Sequence, residues 1–211
     1  MRRLLFPAIL IMACASISFA QSGDYSKYEF YGGYSHNRVD TGIDDSEPAL
    51  SDIIEEREGF HGFNTSFTGN LSRYIGLKAD FAGHFKSKSI PIGVGNIDID
   101  SSLYNFLGGV QIKDNDKEAR FKPFAHALIG AAWARNEITV PPIVCVQVFP
   151  SPCPATSTES DTGLAGVIGG GIDIRAGKHF DIRAIQVDYN PTRVFDATQH
   201  NFRVGVGVVV R

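Results

Sequence analysis

A chain of 211 residues, 43% hydrophobic and 20% charged, can bury one sizeable domain and is not the composition of a disordered protein. Its formal net charge is −3 and it has no basic run, so no electrostatic ground exists for binding nucleic acid. The 22 glycines and 15 phenylalanines suit packed strands and ill suit long helices.

Met1 to Ala20 reads as a secretory signal peptide. Arg2 and Arg3 form a positive start, Leu4 to Ala13 an apolar stretch, and Ser18-Phe19-Ala20 a small-residue cleavage site. The apolar stretch is too short for a membrane-spanning helix, which needs about 20 residues. Cleavage would leave one domain, residues 21–211, with 18 basic and 23 acidic residues. Cys145 and Cys153 would remain in one Pro-rich loop, where export to an oxidising compartment predicts a local disulfide.

The mature sequence alternates with a period of two. Tyr28, Phe30, Gly32 and Tyr34 share one face of the first run, against Glu29, Tyr31, Ser35 and Asn37. Phe63, Thr65 and Phe67 oppose Asn64, Ser66 and Thr68 in the second. The third sets Ile75, Leu77, Ala79, Phe81 and Phe85 against Gly76, Lys78, Asp80, Ala82 and His84. The fourth sets Tyr104, Phe106, Val110 and Ile112 against Asn105, Leu107, Gly109 and Gln111. A fifth, Phe121 to Arg135, has Lys122 and His126 on one face and Ile129 and Trp133 on the other. The sixth opposes Leu164, Ile168, Ile172 and Ile174 to Val167, Gly169, Gly171, Asp173 and Arg175. The seventh, Phe180 to Tyr189, changes phase after Ala184, which predicts a β-bulge. The last sets Phe202, Val204, Val206, Val208 and Val210 against Asn201, Arg203, Gly205 and Gly207.

Eight strands of roughly 9 to 12 residues match the length a tilted strand needs to cross a bilayer. The connections 69–73, 113–120 and 176–179 are short, whereas 39–59, 86–101 and 136–161 are long and 192–199 is modest. This alternation predicts an all-β fold, an eight-stranded antiparallel up-and-down transmembrane β-barrel. The polar face is also rich in small residues such as Gly76, Ala82, Gly169, Gly171 and Gly207, which a crowded barrel interior needs and an outer surface does not. Aromatic residues near strand ends (Tyr28, Tyr74, Phe85, Tyr104, Phe121, Trp133, Tyr189) would form interfacial girdles. The inward charges should then pair, with Lys78, Arg175, Arg183 and Arg203 matched by Glu29, Asp80, Asp173 and Asp188. So narrow a barrel is filled by its own side chains, and a wide channel is not expected.

Phe30-Tyr31-Gly32-Gly33-Tyr34-Ser35, Tyr74-Ile75-Gly76-Leu77-Lys78-Ala79-Asp80-Phe81, Gly169-Gly170-Gly171-Ile172-Asp173-Ile174-Arg175 and Phe202-Arg203-Val204-Gly205 resemble small outer-membrane barrels of the opacity and OmpA-transmembrane type. The likeness covers essentially the whole mature chain. It implies an integral protein of the bacterial outer membrane, inserted by the barrel-assembly machinery among lipid and lipopolysaccharide, and implies no enzymatic activity. The chain departs from the type at its close, where Val208-Val209-Val210-Arg211 stands in place of a terminal aromatic residue.

Chemistry beyond this is sparse. No serine falls on the face of His126 at near spacing, and His61 and Ser66 face opposite sides, so no hydrolytic triad is read. Gly166 to Gly171 lacks the Lys-Ser/Thr and helix of a phosphate loop. No cofactor or metal site is expected, although the acidic loop containing Asp44, Asp45, Glu47 and Asp52 leaves divalent-cation bridging to lipopolysaccharide open. The resulting expectation is a structural or surface-interaction role, with any external ligand held by long loops. A narrow pore, a lipid-modifying enzyme and a soluble lipocalin-like carrier are the alternatives.

Overall fold

The computed structural model describes residues 25–40, 57–93, 95–141 and 156–211. The signal peptide, the acidic loop and the Cys145–Cys153 pair lie outside the described residues. Eight strands follow in order: β1 (Tyr28–Asp40), β2 (Arg57–Asn70), β3 (Ile75–Pro91), β4 (Asn96–Lys113), β5 (Phe121–Thr139), β6 (Thr156–Arg175), β7 (Phe180–Val194) and β8 (Ala197–Val210). Each pairs antiparallel with its sequence neighbours, and β8 returns to β1 from Phe30↔Val210 to Arg38↔Phe202, closing the barrel. Closure leaves no strand edge whose polar groups would be stranded in hydrocarbon.

The orientation of the faces excludes a soluble carrier. Leu77 and Phe106 are each 54% exposed and Val206 46%, whereas Lys78 is 2% and Arg203 1% exposed. The apolar side chains point outward and the charged ones inward, the reverse of a lipocalin. Tyr28, Tyr74, Phe121 and Phe180 mark the lower edge of the apolar band, and Tyr34, Phe85, Tyr104, Trp133 and Tyr189 the upper. With the short turns on the periplasmic side, the β1–β2, β3–β4, β5–β6 and β7–β8 connections are extracellular.

The bulge appears where the phase changes. The β7–β8 register shifts between Arg183 and Gln186, so Ala184 and Ile185 both face outward. Inside, Gly171 and Gly207 leave room for rings: a Cβ on Gly171 would meet the Phe124 ring and the Ile185 carbonyl, and one on Gly207 the Tyr31 ring and the Gly32 carbonyl.

Two connections differ from the sequence reading. Most of 86–101 is not loop but a continuation of β3 and β4, paired as far as Pro91↔Asn96 and turned at Gly93, whose φ is +68°. Lys86 to Ile90 and Asn96 to Ser102 also alternate, but both faces there meet water, so the contrast that marks a lipid-facing strand is lost. The connection 192–199 shrinks to a tight turn in which Phe195 (φ 52°) and Asp196 (φ 58°) both adopt left-handed backbone, the twist-matched hairpin geometry. Phe195 tolerates this because its N–H bonds the Asp161 carboxylate and its ring packs against the apolar cluster inside the mouth.

Candidate functional site

The barrel interior has two tiers. The lower, periplasmic tier is a charged plug. Arg183 on β7 makes a bidentate pair with Asp173 on β6 (Nε–Oδ1 2.8 Å, Nη2–Oδ2 3.1 Å). Its guanidinium carbon lies 4.2 Å from the centre of the Tyr31 ring and 4.0 Å from that of Phe124, so two aromatic faces sandwich it. Lys113 Nζ reaches Glu29 at 2.9 Å and the second oxygen of Asp173 at 2.8 Å. Arg203 bridges Asp188 (Nε–Oδ2 2.8 Å) and Asp80 (Nη1–Oδ1 3.1 Å).

Around these pairs further donors converge on the same carboxylates. Asn64 donates to Asp80 at 2.9 Å and Gln186 to Asp188 at 2.6 Å. Lys78 Nζ donates to His126 Nδ1 at 3.2 Å, and His126 Nε2 donates to Asp188 at 2.9 Å, an arrangement that defines one imidazole tautomer. At the periplasmic mouth Lys122 and Arg211 both bind Asp181, at 3.1 and 2.8 Å.

Of the eight residues singled out from the sequence, the structure brings Glu29, Lys78, Asp80, Asp173, Arg183, Asp188 and Arg203 into this plug. Arg175 is a correction. It points inward by parity but sits at the rim, where it pairs with Glu118 at 3.0 Å rather than with the network. Alternation puts Lys122 and Arg211 on the inward face without naming a partner for either, and it does not single out Lys113 and Asp181. All four sit at strand termini, where alternation runs into turns, although Lys113 and Asp181 continue the inward parity of Gln111 and Arg183.

The upper tier combines an apolar cluster, which the expectation of a polar lumen does not include, with buried Asn37, Asn190 and Asn201. Val39, Phe60, Leu103, Leu107, Leu128, Ala132, Ala134, Ala165, Val167 and Val194 pack together inside the outer half. Above them a cavity of about 290 Å³ opens outward between Phe60, Leu103, Ala134 and Phe195, rimmed by Lys86, Glu159 and the Lys88–Glu58 pair (2.9 Å). Among the described residues, the two tiers fill the lumen with buried side chains from one end to the other.

One arrangement invites a catalytic reading. Ser35 Oγ lies 2.9 Å from His84 Nε2, a pair that the sequence did not suggest because it joins β1 to β3. Both residues are fully buried, and His84 Nδ1 has no hydrogen-bond partner where a triad needs its orienting acid. Among the described residues no group of three His, Cys, Asp or Glu could hold a metal ion.

Comparison with known proteins agrees with this architecture. The structure resembles the attachment invasion locus protein Ail of Yersinia pestis, crystallised with the heparin analogue sucrose octasulfate, at 18% identity and a TM-score of 0.57, covering 86% of this chain and 97% of that one. A second crystal structure of Ail gives a TM-score of 0.53 with the same identity and coverage. Neisserial surface protein A is 11% identical with a TM-score of 0.49, covering 90% of this chain and 99% of its own. No curated protein matches by sequence. The family model for the outer membrane protein beta-barrel domain matches residues 6–209, and the chain belongs to that family, an integral barrel of the bacterial outer membrane.

Proposed function

We propose that the protein is a non-enzymatic surface-interaction barrel that presents its extracellular strand ends and loops to external molecules. One observation carries the reading: β3, β4, β5 and β6 run 17, 18, 19 and 20 residues, where about 9 to 11 suffice to cross the bilayer. The surplus builds a paired wall above the upper girdle, rigid enough to hold loops in place. The plugged lumen supports a scaffold rather than a conduit, and the closed-off Ser35–His84 pair gives a hydrolase no accessible nucleophile.

The test is adherence of cells displaying the protein. A sulfated saccharide is the first probe, because Ail has been crystallised with a heparin analogue. Cells displaying the full chain should adhere to an immobilised sulfated polysaccharide more than vector-only cells. Shortening the β3–β4 hairpin to remove residues 88–99 should reduce adherence while heat-modifiable gel migration still reports a folded barrel. Equal adherence with and without the protein, on sulfated and protein-coated surfaces alike, would refute the proposal.

A further inference from the structure

Two imidazoles stand side by side at the outer end of the barrel. His36 on β1 lies directly opposite His61 on β2, on the outward face that also carries Tyr34, and His61 lies opposite Phe85 of the upper girdle. His61 is exposed and His36 half-buried. Their ring centres are 4.8 Å apart and the ring planes are inclined at 51°, so the rings are not stacked. Two imidazoles bonded to one metal at about 2.0–2.1 Å, with a bond angle of roughly 90–109°, hold their ring centres about 4.5–5.2 Å apart. The pair already has the spacing of a chelate.

Neighbouring residues position both rings. A Cβ on Gly59 would come within 2.8 Å of His36 Cε1 and 3.3 Å of Nε2, so the missing side chain is what lets that ring lie where it does. Tyr34 Oη is hydrogen-bonded to His61 Nδ1. With Nδ1 engaged, Nε2 is the nitrogen left to bind a metal, and the Nδ1–H then donates to the phenol oxygen. Metal-bound histidines are oriented in this way, through a hydrogen bond from the second ring nitrogen. His84 and His126 are buried in the lumen and His179 lies in a periplasmic turn, so none of these three can join the pair.

Arg38, the next outward residue of β1, lies opposite Gly59. A fixed positive charge so near disfavours cations held by charge alone, such as Ca²⁺ and Mg²⁺, which also prefer oxygen ligands. Ions that bond strongly to imidazole nitrogen are left. We propose that His36 and His61 together chelate a late first-row divalent metal at the cell surface, Cu²⁺ ahead of Zn²⁺ as the general affinity order dictates. The two imidazoles fill two coordination positions, and the rest stay open to water or to a donor from outside. Tyr34 and Gly59 are positioning residues. Such a site needs only the β1–β2 pairing and is independent of the surface-interaction reading.

The experiment is a Cu²⁺ titration of the untagged full chain, refolded in detergent with its cysteines alkylated, in a glycine buffer that masks weak sites. Pulsed electron paramagnetic resonance then counts the imidazoles on the ion. One Cu²⁺ per chain should bind through two imidazole nitrogens, and excess Zn²⁺ but not millimolar Ca²⁺ should displace it. H36Q and H61Q should each lose the two-imidazole signal, whereas H179Q should keep it. Y34F should weaken binding about tenfold with both imidazoles retained. G59A, which displaces the His36 ring without removing a ligand, should weaken it as well. Heat-modifiable gel migration reports that each variant is folded. Absence of a two-imidazole signal from the unaltered chain overturns the proposal without reference to any variant. So does a folded H36Q/H61Q double variant that keeps the signal, or displacement of the ion by Ca²⁺.

Discussion

Replacing Arg203 with methionine tests whether the charged plug holds the barrel together. The thioether side chain keeps much of the volume but leaves Asp80 and Asp188 facing one another without the guanidinium that bridges them at 3.1 and 2.8 Å. Breaking one partner out of a buried pair costs about 3–5 kcal/mol, because the surviving charge stays desolvated. Two carboxylates are orphaned here, which argues for the upper end. Asp188 still accepts from His126 and Gln186, and Asp80 from Asn64, which argues for the lower. A loss of about 4 kcal/mol is expected. In urea titrations of the vesicle-inserted protein, followed by its single tryptophan, Trp133, that loss moves the midpoint down by about 2 M for a slope of about 2 kcal/mol per M. Adding D80N and D188N removes the orphaned charges and should restore more than half of the loss. R135M is the control: its partner Glu137 is solvent-facing, and the change should cost under about 1 kcal/mol. If R203M and R135M shifted the midpoint equally, the plug would not be what stabilises the interior.

Four other outcomes follow from the same geometry. In planar bilayers the unaltered protein should show no conductance steps, and discrete openings at moderate voltage would contradict a filled lumen. G171V drives a side chain into the Phe124 ring and the Ile185 carbonyl, so it should abolish the heat-modifiable folded band, whereas G69V, whose Cβ meets nothing within 4 Å, should not. D196G relieves a left-handed residue in the β7–β8 turn and should raise stability by about 0.5–1 kcal/mol in the urea assay, where a decrease would show that the Asp196 side chain matters more than its backbone. In the periplasmic turns the hydrogen bond from Arg73 holds the Asp114 carboxyl below its usual range. A depressed carboxylate stabilises the fold above its unfolded value of about 3.9 and loses that contribution as pH falls through the folded value, so R73Q should be slightly destabilising at neutral pH and neutral in effect at the acid extreme.

What could be read from the sequence followed the alternation. The period of two is strict, so the run from Phe202 to Val210 assigns every side chain to a face, and the phase slip after Ala184 located the bulge. Where the two faces sit in equally wet surroundings the signal fades, which is why Lys86 to Ser101 looked like a loop although it pairs as a hairpin. The charge pairs were legible as a set but not as partners. Lys113 and Glu29 meet across the barrel from β4 to β1, and nothing in local spacing brings them together. The apolar upper tier was missed for a different reason. Alternation places Leu107 and Val167 on the inward face, but it carries no information about which apolar side chains meet across the barrel.

Closure of β8 on β1 has a consequence for biogenesis. Phe30 of β1 is in register with Val210 of β8, the last strand of the barrel, so any state short of closure exposes two raw margins. Sealing is necessarily the final event, slow because the entropy of bringing distant segments together must be met before any reward arrives. Until it happens, the unpaired margins of β1 and β8 remain open to pairing with any other strand that reaches them.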